Sequence, residues 1–209
     1  GWDTPAGPEG STLAHLAAHA SGLAFDQPMR QAAPGVRRIY SNTGFELLAD
    51  TVATAVGTTF SAYLDATVLS PLGMIDTGLD GSPAAAGVAT VADLALFAAE
   101  LQHPTLVPAE VAAAARRVAF AGLDGVLPGF GRQQPNDWGL GYEIRATKTP
   151  HWTGTTSSPG TFGHFGRSGT FLWVDPEEGL ACVALTDRDF GPWAAEAWPR
   201  FTDGVLAAW

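Results

Sequence analysis

Ile39-Tyr40-Ser41-Asn42-Thr43-Gly44 is the stretch on which the rest of this chain is organised. It follows a turn-prone segment, Ala33-Pro34-Gly35-Val36, and precedes an apolar run with helical spacing. Phe45, Leu48, Val52 and Val56 recur at i, i+3, i+7 and i+11, which is one face of a helix, and Gly57 ends it. A Tyr and an Asn two residues apart at a helix entrance direct two polar groups at one pocket. A phenol there can carry a proton, and a carboxamide can position a ligand. Tyr40 and Asn42 are therefore the first candidate site residues.

Upstream, Ser11 or Thr12 can cap a short helix from Leu13 to Ala20 that Gly22 ends. It would carry His15 and His19 four apart on one face. A metal-binding reading lacks a third ligand, and Leu16 stands where a zincin helix places Glu, so no metal is expected. Both imidazoles are expected to hold the turn at Ser21-Gly22 by hydrogen bonds. Downstream, a second helix should begin at Thr58 or Thr59 and stop at Pro71, with Phe60, Leu64, Val68 and Leu69 facing inward. Residues 76–88 read as loop. Thr90 and Asp93 form a capping-box pattern before Leu94-Ala95-Leu96-Phe97, and Pro108 opens another helix through Val118.

After residue 121 the composition changes. Gly122–Asp137 reads as a long loop and 146–160 as a second one. Trp138–Arg145, Thr161–Arg167, Thr170–Val174 and Leu180–Leu185 read as strands, with Asp175-Pro176-Glu177-Glu178-Gly179 as a hairpin turn. Pro199–Trp209 is expected to be a closing helix with Pro199 in its first turn. Helices first and strands second indicate an α+β fold in one domain, 1–209, with a helical lobe over 1–121 and a sheet lobe over 122–209. Three or four antiparallel strands under one helix make a thin sheet whose open edge invites pairing.

The formal net charge of −10 argues against a nucleic-acid or anionic-membrane partner, since both require clustered Lys and Arg. One cysteine, Cys182, excludes an internal disulfide and a Cys-based metal site. No apolar run is long enough to cross a bilayer. No signal peptide opens the chain, which favours the cytoplasm but does not fix the compartment.

A second informative stretch is Phe162-Gly163-His164-Phe165-Gly166-Arg167-Ser168-Gly169. Glycines in a strand mark close approach of a ligand or of another backbone, so a substrate could lie along it beside His164. Tyr40-Ser41-Asn42 with His164-Phe165-Gly166 resembles the serine β-lactamase and penicillin-binding-protein superfamily, in particular its class C β-lactamase-like group of D-alanyl-D-alanine peptidases and esterases. Thr12 to Leu23, with its His-x-x-x-His-x-Ser-Gly-Leu pattern, resembles a segment of that group. So do the turn Leu69-Ser70-Pro71-Leu72-Gly73-Met74 and the strand and turn Leu172-Trp173-Val174-Asp175-Pro176. The likeness extends over nearly the whole chain.

The resemblance implies a β-lactamase/transpeptidase-like fold and acyl transfer through an acyl-serine on an ester, amide or β-lactam, without metal or organic cofactor. It implies that Tyr40 takes or relays the serine proton and that Asn42 contacts the substrate. It places His164 and Gly166 on the Lys/His-Thr-Gly strand and gives the N–H of Arg167 half of an oxyanion hole. The Arg167 guanidinium could also bind a substrate carboxylate or lower the Tyr40 pKa, although a solvated strand Arg is the plainer reading.

The family's Ser-x-x-Lys nucleophile motif does not occur: Lys148 is the only Lys, and Arg145 stands three before it. The chain thus resembles a member lacking its first strands and nucleophile helix. Either the natural enzyme is longer, which is favoured, or a partner chain completes the sheet, or the chain is a non-catalytic binding protein of the same fold.

Overall fold

Period-two alternation after residue 140 produces a four-stranded antiparallel sheet in the computed structural model, which describes residues 1–209. The strands β5 (Glu143–Ile144), β6 (Phe162–Gly166), β7 (Thr170–Asp175) and β8 (Leu180–Ala184) pair in sequence order. Alternate side chains of β7 go to opposite faces. Phe171 and Trp173 join Leu127, Phe130, Trp152, Ala194 and Trp198 in one apolar cluster, whereas Val174 joins Leu101, Ile144 and Phe162 in another.

Each cluster has its own covering helix, against the expectation of one. The first faces α7 (Pro192–Ala208) and the second faces α5 (Val91–Gln102), which the Thr90 hydroxyl caps by accepting from the Asp93 N–H. The expected start of the closing helix at Pro199 is corrected. Pro192 occupies the first turn, where a missing N–H costs nothing, and Pro199 lies inside the helix. Ala194, Trp198 and Thr202, at i, i+4 and i+8, are the buried stripe that outweighs the interior proline. The outer edge of β8 pairs with no other strand.

The helical part differs from expectation in three places. α1 runs only Leu13–Ala17. The segment expected as one helix up to Pro71 is α3 (Phe60–Leu64), a π-helical turn (Asp65–Leu69) and α4 (Ser70–Leu72), and Gly73 closes it in the left-handed conformation. Pro71 has no N–H to give, so the chain widens before it rather than stopping at it. α6 is Ala109–Ala115, shorter than expected.

α2 (Asn42–Val56) forms as the periodicity predicts, with the Ser41 hydroxyl accepting from the Gly44 N–H at 3.0 Å and Gly57 as a left-handed cap. Its stripe is not fully covered, however. Phe45, Leu48 and Val52 are half-buried, and with Trp2, Leu13 and Phe60 they border an apolar groove of about 420 Å³.

Two segments expected as loop contain short hairpins. Gly78–Leu79 (β1) pairs with Gly87–Val88 (β2), and Gly125–Leu127 (β3) pairs with Gly131–Gln133 (β4). Conversely, the expected strand Trp138–Arg145 is reduced to the two residues of β5. Trp138 makes only an isolated bridge to Glu143, because Gly139, Leu140 and Gly141 turn the chain back on itself.

Candidate active site

The Tyr40 segment is held against the segment that follows α1. The Arg38 guanidinium donates to the Ala18 carbonyl at 2.6 Å, and the Ile39 N–H donates to His19 O at 2.9 Å. The Ser41 N–H donates to His19 Nδ1 at 3.0 Å, Ser41 Oγ donates to Ala24 O at 2.6 Å, and the Asn42 N–H donates to Phe25 O at 2.7 Å. Arg38 also donates to the carbonyls of Asn136 and Ala119, which ties two further loops to the same point. Burial pulls its guanidinium down to about 10, with Asp137 opposing.

This stitching presents Tyr40 and Asn42 to a cleft of about 170 Å³, lined also by His19, Phe45, Trp138, Gly141 and His164. The Tyr40 ring stacks over His164 at 5.5 Å between centroids and over His19 at 4.3 Å, with Trp138 edge-on at 6.0 Å. Tyr40, Asn42 and His164, distant in sequence, therefore meet in one place. The Asn42 side chain makes no hydrogen bond within the protein.

The cleft favours neutral groups. Burial pushes the Tyr40 phenol up from its ordinary value, and Glu143 adds to this. Burial pulls His164 down, against Glu143. His19 goes well below the usual imidazole value through burial, with His164 and Arg38 adding to the effect and Glu143 opposing it.

Gly166 and Arg167 do not line this cleft. They lie at the far end of β6, and Arg167 is three residues, roughly 10 Å, beyond His164. The Arg167 side chain is exposed and makes no hydrogen bond or ion pair, while its backbone N–H donates to no acceptor in the protein. Gly163 is required by another backbone rather than by a ligand, since a Cβ there would come within 2.1 Å of Leu172 O.

The two serines nearest the motifs are otherwise occupied or displaced. Ser41 Oγ is buried, donating to Ala24 and capping α2. Ser168 is exposed at the β6–β7 turn. The expectation for the two histidines is corrected. Because α1 ends at Ala17 and His19 takes φ 53°, they do not share a helix face. His15 pairs with Thr12 Oγ1 and stacks on Phe120, and His19 reaches Ser41 rather than the Ser21-Gly22 turn.

Sequence reading missed a buried polar cluster behind the cleft. Glu143 Oε1 accepts from Lys148 Nζ at 2.8 Å and from His151 Nε2 at 3.0 Å, and Oε2 accepts from Trp152 Nε1 at 2.7 Å. Lys148 spends its other two protons on Asp137 O and Ile144 O. The Thr153 N–H donates to His151 Nδ1, so a neutral imidazole with its proton on Nε2 satisfies both ring nitrogens. Burial pushes Glu143 up, but Lys148 and His151 outweigh it and hold the carboxyl well below the usual carboxylate range. The one available signal was a single Lys in an acidic chain five residues after a Glu between apolar neighbours.

A family model described as Beta-lactamase matches residues 2–207. A solved beta-lactamase from Mycobacterium bovis is 57% identical and superposes with a TM-score of 0.97, the match covering 99% of this chain and 77% of that one. EstCE1, a hydrolase with promiscuous acyltransferase activity, shares the fold at 17% identity and a TM-score of 0.75, over 98% of this chain and 75% of its own. The D-alanyl-D-alanine-carboxypeptidase/endopeptidase AmpH of Escherichia coli K12 is 33% identical over 34% of this chain, which spans 25% of that relative's length.

Proposed function

The chain belongs to the beta-lactamase family, and from that membership we propose that it is the larger part of a serine hydrolase whose nucleophile lies outside these 209 residues. The family's fold is that of hydrolases, and among its relatives are esterases, acyltransferases and D-alanyl-D-alanine peptidases. The substrate is an ester or amide, with D-amino-acid peptides and β-lactams within that class. The chain acts as one domain that a further segment completes at the β8 edge.

The observation that carries the reading is the meeting of Tyr40, Asn42 and His164 in one cleft that contains no activated nucleophile of its own. Ser41 has its hydroxyl engaged, and Lys148 is sealed by Glu143 and two carbonyls. In acyl transfer a serine oxygen attacks the carbonyl while its proton passes to the Tyr40 oxygen. The serine would enter between the cleft and the end of β6, where the N–H of Arg167, which has no acceptor in the protein, can stabilise the resulting oxyanion. Collapse expels the leaving group, which takes the proton from Tyr40, and water then cleaves the acyl-serine. Asn42 orients the substrate amide, and His164 forms the wall against which it lies. Burial and Glu143 keep Tyr40 protonated, so its work as a base requires a cation delivered with the nucleophile.

Intact-mass measurement with a fluorophosphonate probe tests this. The 209-residue chain should gain no adduct, and a longer protein carrying Ser-x-x-Lys ahead of it should gain one. An adduct on the 209-residue chain would place the nucleophile inside it and overturn the reading. No adduct on the longer protein would leave a ligand-binding protein of the same fold.

A further inference from the structure

His19 is placed with unusual constraint for a core residue. It is 3% exposed, has φ 53°, and lies beneath the Tyr40 ring at 4.3 Å, against Phe45 at 4.7 Å and edge-on to Trp138 at 4.5 Å. A side-chain-bearing residue adopts that backbone region only when its surroundings hold it there. Here the Ile39 N–H on His19 O and the Arg38 guanidinium on Ala18 O do so.

The ring then makes one directed contact, accepting the Ser41 N–H at Nδ1. Acceptance requires a lone pair on Nδ1, so the proton of the neutral ring sits on Nε2. Nε2 has no partner in the protein, and the ring borders the cleft. Burial, His164 and Arg38 disfavour the imidazolium, with Glu143 opposing, and a charged ring would set two N–H groups against each other. Apolar packing alone does not explain the contact, since a phenyl ring would stack equally well and leave the Ser41 N–H buried without an acceptor.

We propose that His19 is a positioning residue: through Nδ1 it clamps the backbone between Tyr40 and Asn42 and thereby fixes both side chains in the cleft. The importance of this clamp for turnover rests on the acyl-transfer reading above, but the clamp itself is a matter of geometry.

Two variants separate it from packing. His19→Asn places an amide oxygen near the Nδ1 position and loses the ring, whereas His19→Phe keeps the ring and loses the acceptor. The reporter is the alkaline titration of Tyr40 in the 209-residue chain, isolated by subtracting the Tyr40→Phe spectrum. The clamp predicts that Asn retains the wild-type midpoint and that Phe releases the phenol to solvent, shifting its midpoint down toward the ordinary tyrosine value. The reverse order would assign His19 to packing, and no change in either variant would equally overturn the clamp. Should His19→Phe not fold, imidazole ¹⁵N spectra of the wild type decide: a proton on Nε2 alone is expected at neutral pH, and an Nδ1–H tautomer or an imidazolium refutes the proposal. None of these measurements needs turnover. If Tyr40→Phe left hydrolysis by the longer protein unchanged, the functional reading would fail and the clamp would stand.

Discussion

Lys148 Nζ lies 2.8 Å from Glu143 Oε1, and the two side chains are 0% and 1% exposed. Removing one charge from such a pair strands the other in a low dielectric. Lys148→Met is therefore expected to cost about 3–5 kcal/mol of folding stability. The double substitution Glu143→Gln with Lys148→Met should recover part of that loss, because no unpaired charge remains. Urea unfolding of the two single variants and the double variant measures the coupling. Strict additivity of the two losses would show that the pair does not act as a unit.

Acid should destabilise the protein in two steps. His19, His151 and His164 all have folded pKa values lowered chiefly by burial. The unfolded chain then binds protons first, so stability is unaffected well above the ordinary histidine value of about 6.5 and falls as pH drops through it. Glu143 has a lowered carboxyl, so its contribution is present above the ordinary carboxylate range and is lost at lower pH. Thermal unfolding midpoints should begin to fall near pH ~6.5 and fall further below pH ~4.5. A midpoint flat between those values would refute the assignment of three neutral imidazoles.

What could be read in the sequence was what repeats. The Phe45-Leu48-Val52 spacing and the alternation around Trp173 are local patterns with one folded solution each, and both elements form. Tyr40, Asn42 and His164 were legible as a set through the family resemblance of the two motifs that carry them, and they meet in the cleft. The Glu143–Lys148–His151 cluster was not legible. Its members are brought together by the turn after β5, where the Lys148 N–H returns to Arg145 O, and turn geometry of that kind leaves no periodic trace. The end of α1 at Ala17 was hidden for a similar reason. It is imposed by Arg38 and Ile39, distant residues that capture the carbonyls of Ala18 and His19.

Arg38 should be among the costliest single substitutions outside the apolar clusters. Its guanidinium serves the carbonyls of Ala18, Asn136 and Ala119, and no other side chain has the fork to reach all three. Arg38→Met leaves buried acceptors unsatisfied, and a loss of roughly 3 kcal/mol or more is expected. Arg38→Lys should recover only part of it, since an ammonium is a point donor. Denaturant midpoints for the two variants give the comparison, and equal stability of Lys and Arg at this position would show that the planar fork is not needed.

Tyr40 provides the most direct link between the site's electrostatics and its chemistry. Its phenol is raised by burial first and by Glu143 second, and Lys148, the only lysine, is neutralised where it lies. In the 209-residue chain the Tyr40 phenolate should therefore form only above the ordinary tyrosine value of about 10. A lysine brought beside it by a Ser-x-x-Lys helix would act in the opposite direction, stabilising the phenolate. Phenolate absorbance, with the Tyr40→Phe spectrum subtracted, should give a lower midpoint in the longer protein than in this chain. In the longer protein Tyr40→Phe should also lower the rate of serine acylation by about 10²-fold or more, the usual scale for loss of a general base. Equal midpoints in the two proteins would mean that no cation reaches the cleft, and Tyr40 would then have no means of becoming a base at neutral pH.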